Sequence, residues 1–465
     1  MPFLCRFIRI DYDMFYFRPH KTLFLIFLLS LSCVYSAPKT HAQIIIRDTE
    51  IESYLSQWFA PILKANGMEK EQIKIILVQS DQVNAFVAGG ANIFFYTGLI
   101  ELTETPEELI GVFAHELGHV TGGHLIRGRQ ALRQASYESI LGSIIGVGTA
   151  LLSGNGAAAN AGISAGQTLA QRRFLSTTRH YESSADQAAI SSMVQAGIDP
   201  KGVYSFLQKL EGQELLPASQ QSEYMRTHPL TRNRVESVKN TLNAQKSLPP
   251  VPREWVDQHA LIKAKLAGFI HPEQIEWQYD TTDTSKEALY ARAIAAYRQN
   301  NLDKALSFIE QLQNKFFNNP YILELKGQIL GEFGQASKAI PYYQKALQYL
   351  PHNDSGLLLS ALGKLYIQLF NQEKKDSTLN LAIKTLNKAV IKEPQMSSNH
   401  RLLAIAYGNQ DNTAMAQYHL AQESMLQGSC KRARKHLKYL EGEENISSSI
   451  EIKIQDLRKA CADKK

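Results

Sequence analysis

Cysteine is scarce in this sequence. Cys5, Cys33, Cys430 and Cys461 are the only four in 465 residues, and no two stand at the CxxC spacing. That excludes a zinc ribbon and a dithiol redox centre. Charge of one sign is lacking too. The formal net charge is +6, and residues 1–42 carry five basic and two acidic side chains, which leaves about +3 for the rest. So mild a balance gives no electrostatic footprint for a polyanion, and no DNA- or RNA-binding motif is present, so nucleic acid is not an expected partner. Long hydrophobic runs are also missing. Leu23–Leu29 is too short for a membrane span, and the apolar stretch from Ile140 to Leu152 is interrupted by glycine.

The first segment has the pattern of an export signal. Arg18, His20 and Lys21 flank the run Leu23–Leu29, and small residues follow up to Ala42. Residues 1–42 therefore read as a cleavable signal peptide, which places the mature chain outside the cytoplasm. Cys5 and Cys33 fall inside that leader. Cys430 and Cys461 remain, an even count that permits one disulfide in an exported protein.

Residues 43–260 read as one mostly helical domain with a small sheet. A helical pattern runs from Thr49 to Gly67. Strand-forming stretches follow at Ile73–Val78, Asn84–Val87 and Ile93–Tyr96, with a turn at Gly89-Gly90. Thr105-Pro106-Glu107-Glu108 starts a helix, since threonine caps, proline fits the first helical position and glutamates suit the positive end. Residues 131–170, rich in Ala, Gly, Ser and Ile, suit a lid or a surface hairpin with a peripheral membrane contact. Prolines at 249, 250 and 252 break the pattern, and residues 261–282 are expected as a linker.

Residues 283–465 are repetitive. Ala305 and Ala339 stand 34 residues apart, the period of the tetratricopeptide repeat. Gly327, Ala339, Tyr343, Ala346 and Pro351 fill the small, aromatic and proline positions of one unit. Gly363, Tyr366, Ala382, Leu386, Ala389 and Pro394 form another, and Ala404, Tyr407, Ala416 and Leu420 a further one. The second half is expected to be an all-α solenoid, whose curved surface suits protein segments.

The chemistry concentrates at His115-Glu116-Leu117-Gly118-His119. On a helix the two histidines lie about 40° apart and one turn along, so both imidazoles reach one metal ion. Zinc suits nitrogen donors in a tetrahedron. Glu116 lies about 100° round the helix from His115. There it can work on a water as general acid and base rather than ligate. A third ligand is needed, and two residues compete. His124 follows Gly122-Gly123 but would point about 180° from His115 if the helix continued. Glu182 stands four residues before Asp186 on a second helical segment. Glu182 as ligand, with Asp186 orienting a ligand histidine, gives both acids a function and is the preferred arrangement.

The helix motif and the segment Glu182-Ser183-Ser184-Ala185-Asp186 together resemble the gluzincin peptidases of the HtpX and CAAX-prenyl-protease type. The resemblance implies an α+β, zincin-like metallopeptidase domain with one zinc per chain. It makes His115, His119 and Glu182 the ligands, Glu116 the catalytic acid and base, and Asp186 a supporting acid. Asn84, Ala91, Asn92, Ile93 and Phe94 match the edge-strand region where an extended substrate adds to the sheet. Thr227-His228-Pro229 matches a recurrent loop, with Arg234 downstream. His228 is expected to stabilise the oxyanion or to occupy the open zinc position. With the leader and repeats added, the chain is similar to periplasmic members of this group. They imply unfolded or misassembled outer-membrane proteins as substrates, chaperone-like assistance, and the β-barrel assembly machinery as partner through the repeats.

Overall fold

The amphipathic pattern after Thr49 folds as α1 (Thr49–Ala65), capped by the Asp48 carboxylate, which accepts from Ile51 N. Its inner face buries Leu55, Trp58, Phe59 and Ile62. The structure is a computed structural model and describes residues 44–124, 126–128, 130, 177–217, 219–350, 355–441 and 448–462. The leader expected in 1–42 and the lid or hairpin expected in 131–170 lie outside the described residues. Among the described residues no helix is long and apolar enough to cross a membrane.

Four short strands form one mixed sheet in the order β1-β2-β4-β3. They are β1 (Ile44–Ile46), β2 (Lys74–Gln79), β3 (Ala85–Ala88) and β4 (Asn92–Tyr96). β2 runs parallel to β4, and β3 pairs antiparallel with β4 across a turn at Gly89 and Gly90. Both glycines have positive φ, 61° and 103°, which a side chain would resist. The sheet corrects one expectation. Ala91 leads into β4, which holds Asn92, Ile93 and Phe94 and is bonded on both sides, so its main chain has no groups left for a substrate. Only β3, which Asn84 precedes, borders one neighbour on this side of the sheet.

After β4 come α2 (Thr97–Leu102) and α3 (Pro106–Thr121). Thr105 caps α3 by accepting from Glu108 N, and Pro106 takes the first turn. The Phe113 ring stacks on Phe59 with centroids 3.9 Å apart, which locks α3 onto α1. A second helical segment, 177–195, crosses α3 at Gly118. A Cβ on Gly118 would lie 3.1 Å from the Ala185 Cα, so only glycine lets these backbones come this close. The short helix α4 (Glu223–Thr227) and helix α5 (Arg232–Asn243) then bracket the His228 loop.

Residues 261–270, expected within a linker, instead complete the 18-residue helix α6 (Arg253–Ile270). The apolar positions Leu261, Ile262, Ala264 and Leu266 are buried, and burial holds the helix through the expected boundary. Trp58 Nε1 donates to Gln258 Oε1 at 2.8 Å. Lys265 Nζ lies 2.7 Å from Asp48 and 3.0 Å from Glu50, and Tyr290 O–H donates to Glu50 at 2.6 Å. This buried polar knot ties α1 to α6 and to the helical region beyond, and the described residues from Ile45 onward pack as one unit.

That region is entirely helical among its described residues. Helices at Lys286–Arg298, Leu302–Lys315, Pro320–Glu332, Ala336–Tyr349, Gly356–Glu373 and Asp376–Lys392 each pack on the next. The series continues with α7 (Ser397–Gly408), α8 (Thr413–Leu426), α9 (Cys430–Lys438) and α10 (Ser448–Ala462). Most of the small residues singled out by the period are buried, Ala416 being half-buried. Ala305, Ala339, Ala346, Ala382 and Ala389 are fully enclosed, and a Cβ on Gly327 would meet the Tyr343 ring at 2.7 Å.

Candidate active site and metal centre

Helix α3 presents His115 and His119 on one face, as their four-residue spacing requires. The close crossing at Gly118 brings Glu182 from the 177–195 segment beneath them. His115 Nε2 and His119 Nε2 are 3.1 Å apart. Glu182 Oε2 lies 3.4 Å from the first, and Glu182 Oε1 lies 3.4 Å from the second. His228 Nδ1 is 3.1 Å from Glu182 Oε2 and 3.4 Å from His115 Nε2. All four residues are buried and could hold one metal ion.

These spacings test the fit of zinc. Four nitrogen and oxygen donors held at roughly 2.0–2.1 Å in a tetrahedron stand about 3.3 Å apart; the separations of His115 from His119, Glu182 and His228, and of Glu182 from His119 and His228 through its two oxygens, run from 3.1 to 3.4 Å, and all four donors lie within 4.8 Å of one another. Imidazole and carboxylate are also the donor types zinc prefers, so the residues present fit the ion.

The surrounding groups set the charges. Asp186 Oδ1 accepts from His115 Nδ1 at 3.0 Å, which turns Nε2 toward the centre. Burial opposes a charge on His115, but its hydrogen bonds to Asp186 and Glu182 prevail and raise it to about 10 in the metal-free site. Burial, reinforced by His115, lowers His119 to about 2. Burial works against ionised Glu182, yet His228 and His115 hold it well below the usual carboxylate range. For Asp186 burial is overcome chiefly by Arg234, and it falls to about 2.

Glu116 is different. It is fully buried, and burial raises it above an ordinary carboxylate. Neither oxygen has a hydrogen-bond partner among the described residues, although His228 Nε2 stands 3.3 Å from Oε1 without hydrogen-bond alignment. A buried carboxylate in that condition costs several kcal/mol unless a water or substrate completes it, on the order of 1–3 for each unmet group. It is placed beside the donor tetrahedron and outside it.

Four contacts escaped the sequence. Arg234 is buried and grips Asp186 with Nε and Nη2 at 2.8 and 2.9 Å. Its Nη1 lies 3.1 Å from Glu182 Oε2 and donates to the Pro229 carbonyl at 2.9 Å. Tyr224 stacks on the His228 ring at 4.7 Å. His124 does not join the four donors; it is a buried packing residue whose Nδ1 lies 3.0 Å from His119 Nδ1, behind the centre. The available signal was the acid pair itself: two buried carboxylates on one helix require a cation, and Arg234 follows the His228 loop. Of the expected substrate-strand residues, Asn84 alone reaches this neighbourhood, where its side-chain amide donates to Glu223 and its oxygen accepts from Thr227.

A His-Glu-x-x-His helix with a glutamate supplied by a second helix is the donor arrangement expected of a gluzincin-type zinc centre. The model of Peptidase family M48 matches residues 49–242. The chain is 30% identical over 304 residues to the beta-barrel assembly-enhancing protease of Yersinia pestis, covering 63% of this chain and 60% of that one. It is 26% identical over 306 residues to the protein of that name from Escherichia coli (strain K12), covering 64% and 61%. Against metalloprotease LoiP of the same strain it is 26% identical over 185 residues, 38% of this chain and 66% of that one. The chain thus spans about three fifths of the length of the first two relatives.

Proposed function

We propose that this chain is a periplasmic zinc metalloendopeptidase that degrades unfolded or misassembled outer-membrane β-barrel proteins and assists the assembly of others. The buried, unsatisfied carboxylate of Glu116 beside a four-donor tetrahedron carries the reading. The names of the relatives support the substrate class. Residues 1–42 would direct export, 43–260 would form the peptidase, and 283–465 would form a tetratricopeptide-repeat solenoid that docks the β-barrel assembly machinery.

In this reading His115, His119 and Glu182 hold the ion. Zinc, when bound, acts as a Lewis acid toward the scissile carbonyl and acidifies water. Asp186 fixes the His115 ring through Nδ1. Glu116 takes a proton from the attacking water at its carboxylate and delivers it to the leaving amine, work suited to its raised affinity for a proton. The outer side of β3 offers main-chain groups to an extended substrate with little demand on its side chains.

His228 stands beside His115 and Glu182 as a fourth possible donor, whereas a catalytic zinc keeps one position open. This supports a latent resting state in which His228 must leave before substrate enters. His228→Ala is expected to raise cleavage of an unfolded substrate roughly tenfold, with zinc retained by the other three donors. Zinc analysis beside a turnover assay checks this, and loss of the metal would make His228 an ordinary ligand.

Metal binding should also release protons. The metal-free His115 titrates at about 10 against an ordinary 6.5. Its protonation therefore stabilises the metal-free fold fully below pH 6.5 and ceases to do so as pH rises through 10. Zinc must displace that proton, so uptake near neutral pH should release about one proton per ion, and affinity should climb with pH. Calorimetric titration in buffers of different ionisation enthalpy measures the count; zero release contradicts this account.

The fourth possible donor equally favours a second reading, a repeat-based chaperone whose zinc site is secondary. The deciding experiment incubates the zinc-loaded chain with an unfolded β-barrel precursor. Cleavage abolished by a chelator supports the peptidase. Aggregation suppressed without any cleavage, by wild type and His228→Ala alike, supports the chaperone.

A further inference from the structure

Helices α8, α9 and α10 bring three sulfur atoms together far from the peptidase centre in sequence. Cys461 Sγ lies 2.8 Å from Met425 Sδ, and Cys430 Sγ lies 3.8 Å from the same sulfur. Cys461 Sγ is also 3.9 Å from the carbonyl oxygen of Cys430 itself. Cys461 is fully buried and Cys430 half-buried. The first contact is tighter than the roughly 3.5–4.0 Å at which non-bonded heavy atoms attract best, so the sulfurs are crowded.

The rest of the terminal helix has little to hold it. α10 shares a small apolar cluster of Tyr418, Ala421, Leu437, Leu440, Ile454 and Leu457, separate from the main core. A cluster of that size is where a covalent cross-link contributes most. These two cysteines are also the only pair that follows residue 42.

We infer that Cys430 and Cys461 form an intramolecular disulfide that fastens α10 to the start of α9. The half-buried Cys430 thiolate attacks a sulfur of a disulfide oxidant, small-molecule or protein, and expels one thiol. Cys461 then attacks the Cys430 sulfur and expels the second. One S–S bond forms and the oxidant's S–S bond breaks; the oxidant gains two electrons, its two sulfurs take up the two cysteine thiol protons, and it leaves as two thiols. Rotation of the Cys461 side chain away from Met425 toward Cys430 closes the bond and relieves the crowding. Met425 then packs against the bridge.

The test uses the full chain equilibrated with oxidised glutathione and then alkylated before and after reduction. Peptides carrying Cys430 and Cys461 should resist alkylation until reduced and should appear as one cross-linked species lighter by two hydrogens. Reduction, or Cys461→Ser, should speed amide exchange across 448–462 by about tenfold or more while α3 is unaffected. Alkylation of both residues without reduction overturns the inference. So do glutathione adducts on each. Protection by a stoichiometric soft metal ion with no loss of hydrogen overturns it in favour of a sulfur-ligated ion site. Unchanged exchange in 448–462 on reduction shows that the bridge does not fasten the helix.

Discussion

Glu116→Gln should lower the turnover of an unfolded substrate by roughly 10²–10⁴-fold while one zinc per chain is retained. The amide is nearly the same size as the carboxylate and stands outside the donor tetrahedron, so neither packing nor ligation changes. What is lost is the described carboxylate beside the centre whose oxygens have no hydrogen-bond partner among the described residues, its near contact to the donors being His228 Nε2 at 3.3 Å. Glu182 lies against His115, His119 and His228, and Asp186 is committed to His115 and Arg234. Neither can substitute as a base without leaving those partners. A steady-state assay beside metal analysis reads both quantities. Retained activity at full zinc occupancy would remove Glu116 from the mechanism, and loss of zinc would make it a ligand.

Arg234→Gln should be the most damaging single change outside the donor set. One guanidinium neutralises Asp186, approaches Glu182 and holds the Pro229 carbonyl. Removing it leaves two buried carboxylates short of a counter-charge, a type of loss that costs roughly 3–5 kcal/mol. Zinc affinity should fall by about 10–100-fold, because Asp186 no longer fixes His115 and Glu182 is no longer steadied. Thermal unfolding of the metal-free protein and a competition titration with a zinc chelator give the two numbers. Arg234→Lys restores the charge but not the forked geometry, so it should recover part of the stability and little of the affinity. A Gln variant equal to wild type in both would show that the acids are held by other groups.

Much of this centre was legible in the sequence, and the reason is local. His115 and His119 needed only the helical period, and α3 was marked by its own cap, Thr105, and first-turn proline. Glu182 and Asp186 were found by the same period on a second segment. What stayed hidden depends on tertiary placement. Arg234 had no spacing to announce it, since its partners lie 48 and 52 residues away. The substrate strand was placed at Asn84 and Ala91–Phe94 because these residues match the edge-strand region of a resembling family, but a match in sequence does not tell a central strand from an edge. The parallel pairing of β2 with β4 settled that. Residues 261–270 of the expected linker lie in a helix for a related reason: the prolines at 249, 250 and 252 are a true break, but burial of Leu261 to Leu266 continues the next helix to Ile270.

The polar knot at Lys265 has a consequence for how this protein can be cut. A fragment ending near residue 260 would look like a self-sufficient enzyme by motif alone. It would lack the Lys265 ammonium and the Tyr290 hydroxyl, and Glu50 would remain inside α1 without its cation and one of its donors. The helix so burdened is the one that supports α3 through Phe59 and Phe113. The motif-bearing half therefore borrows part of its own foundation from the helical half, and the catalytic unit is larger than the stretch its signature residues mark out.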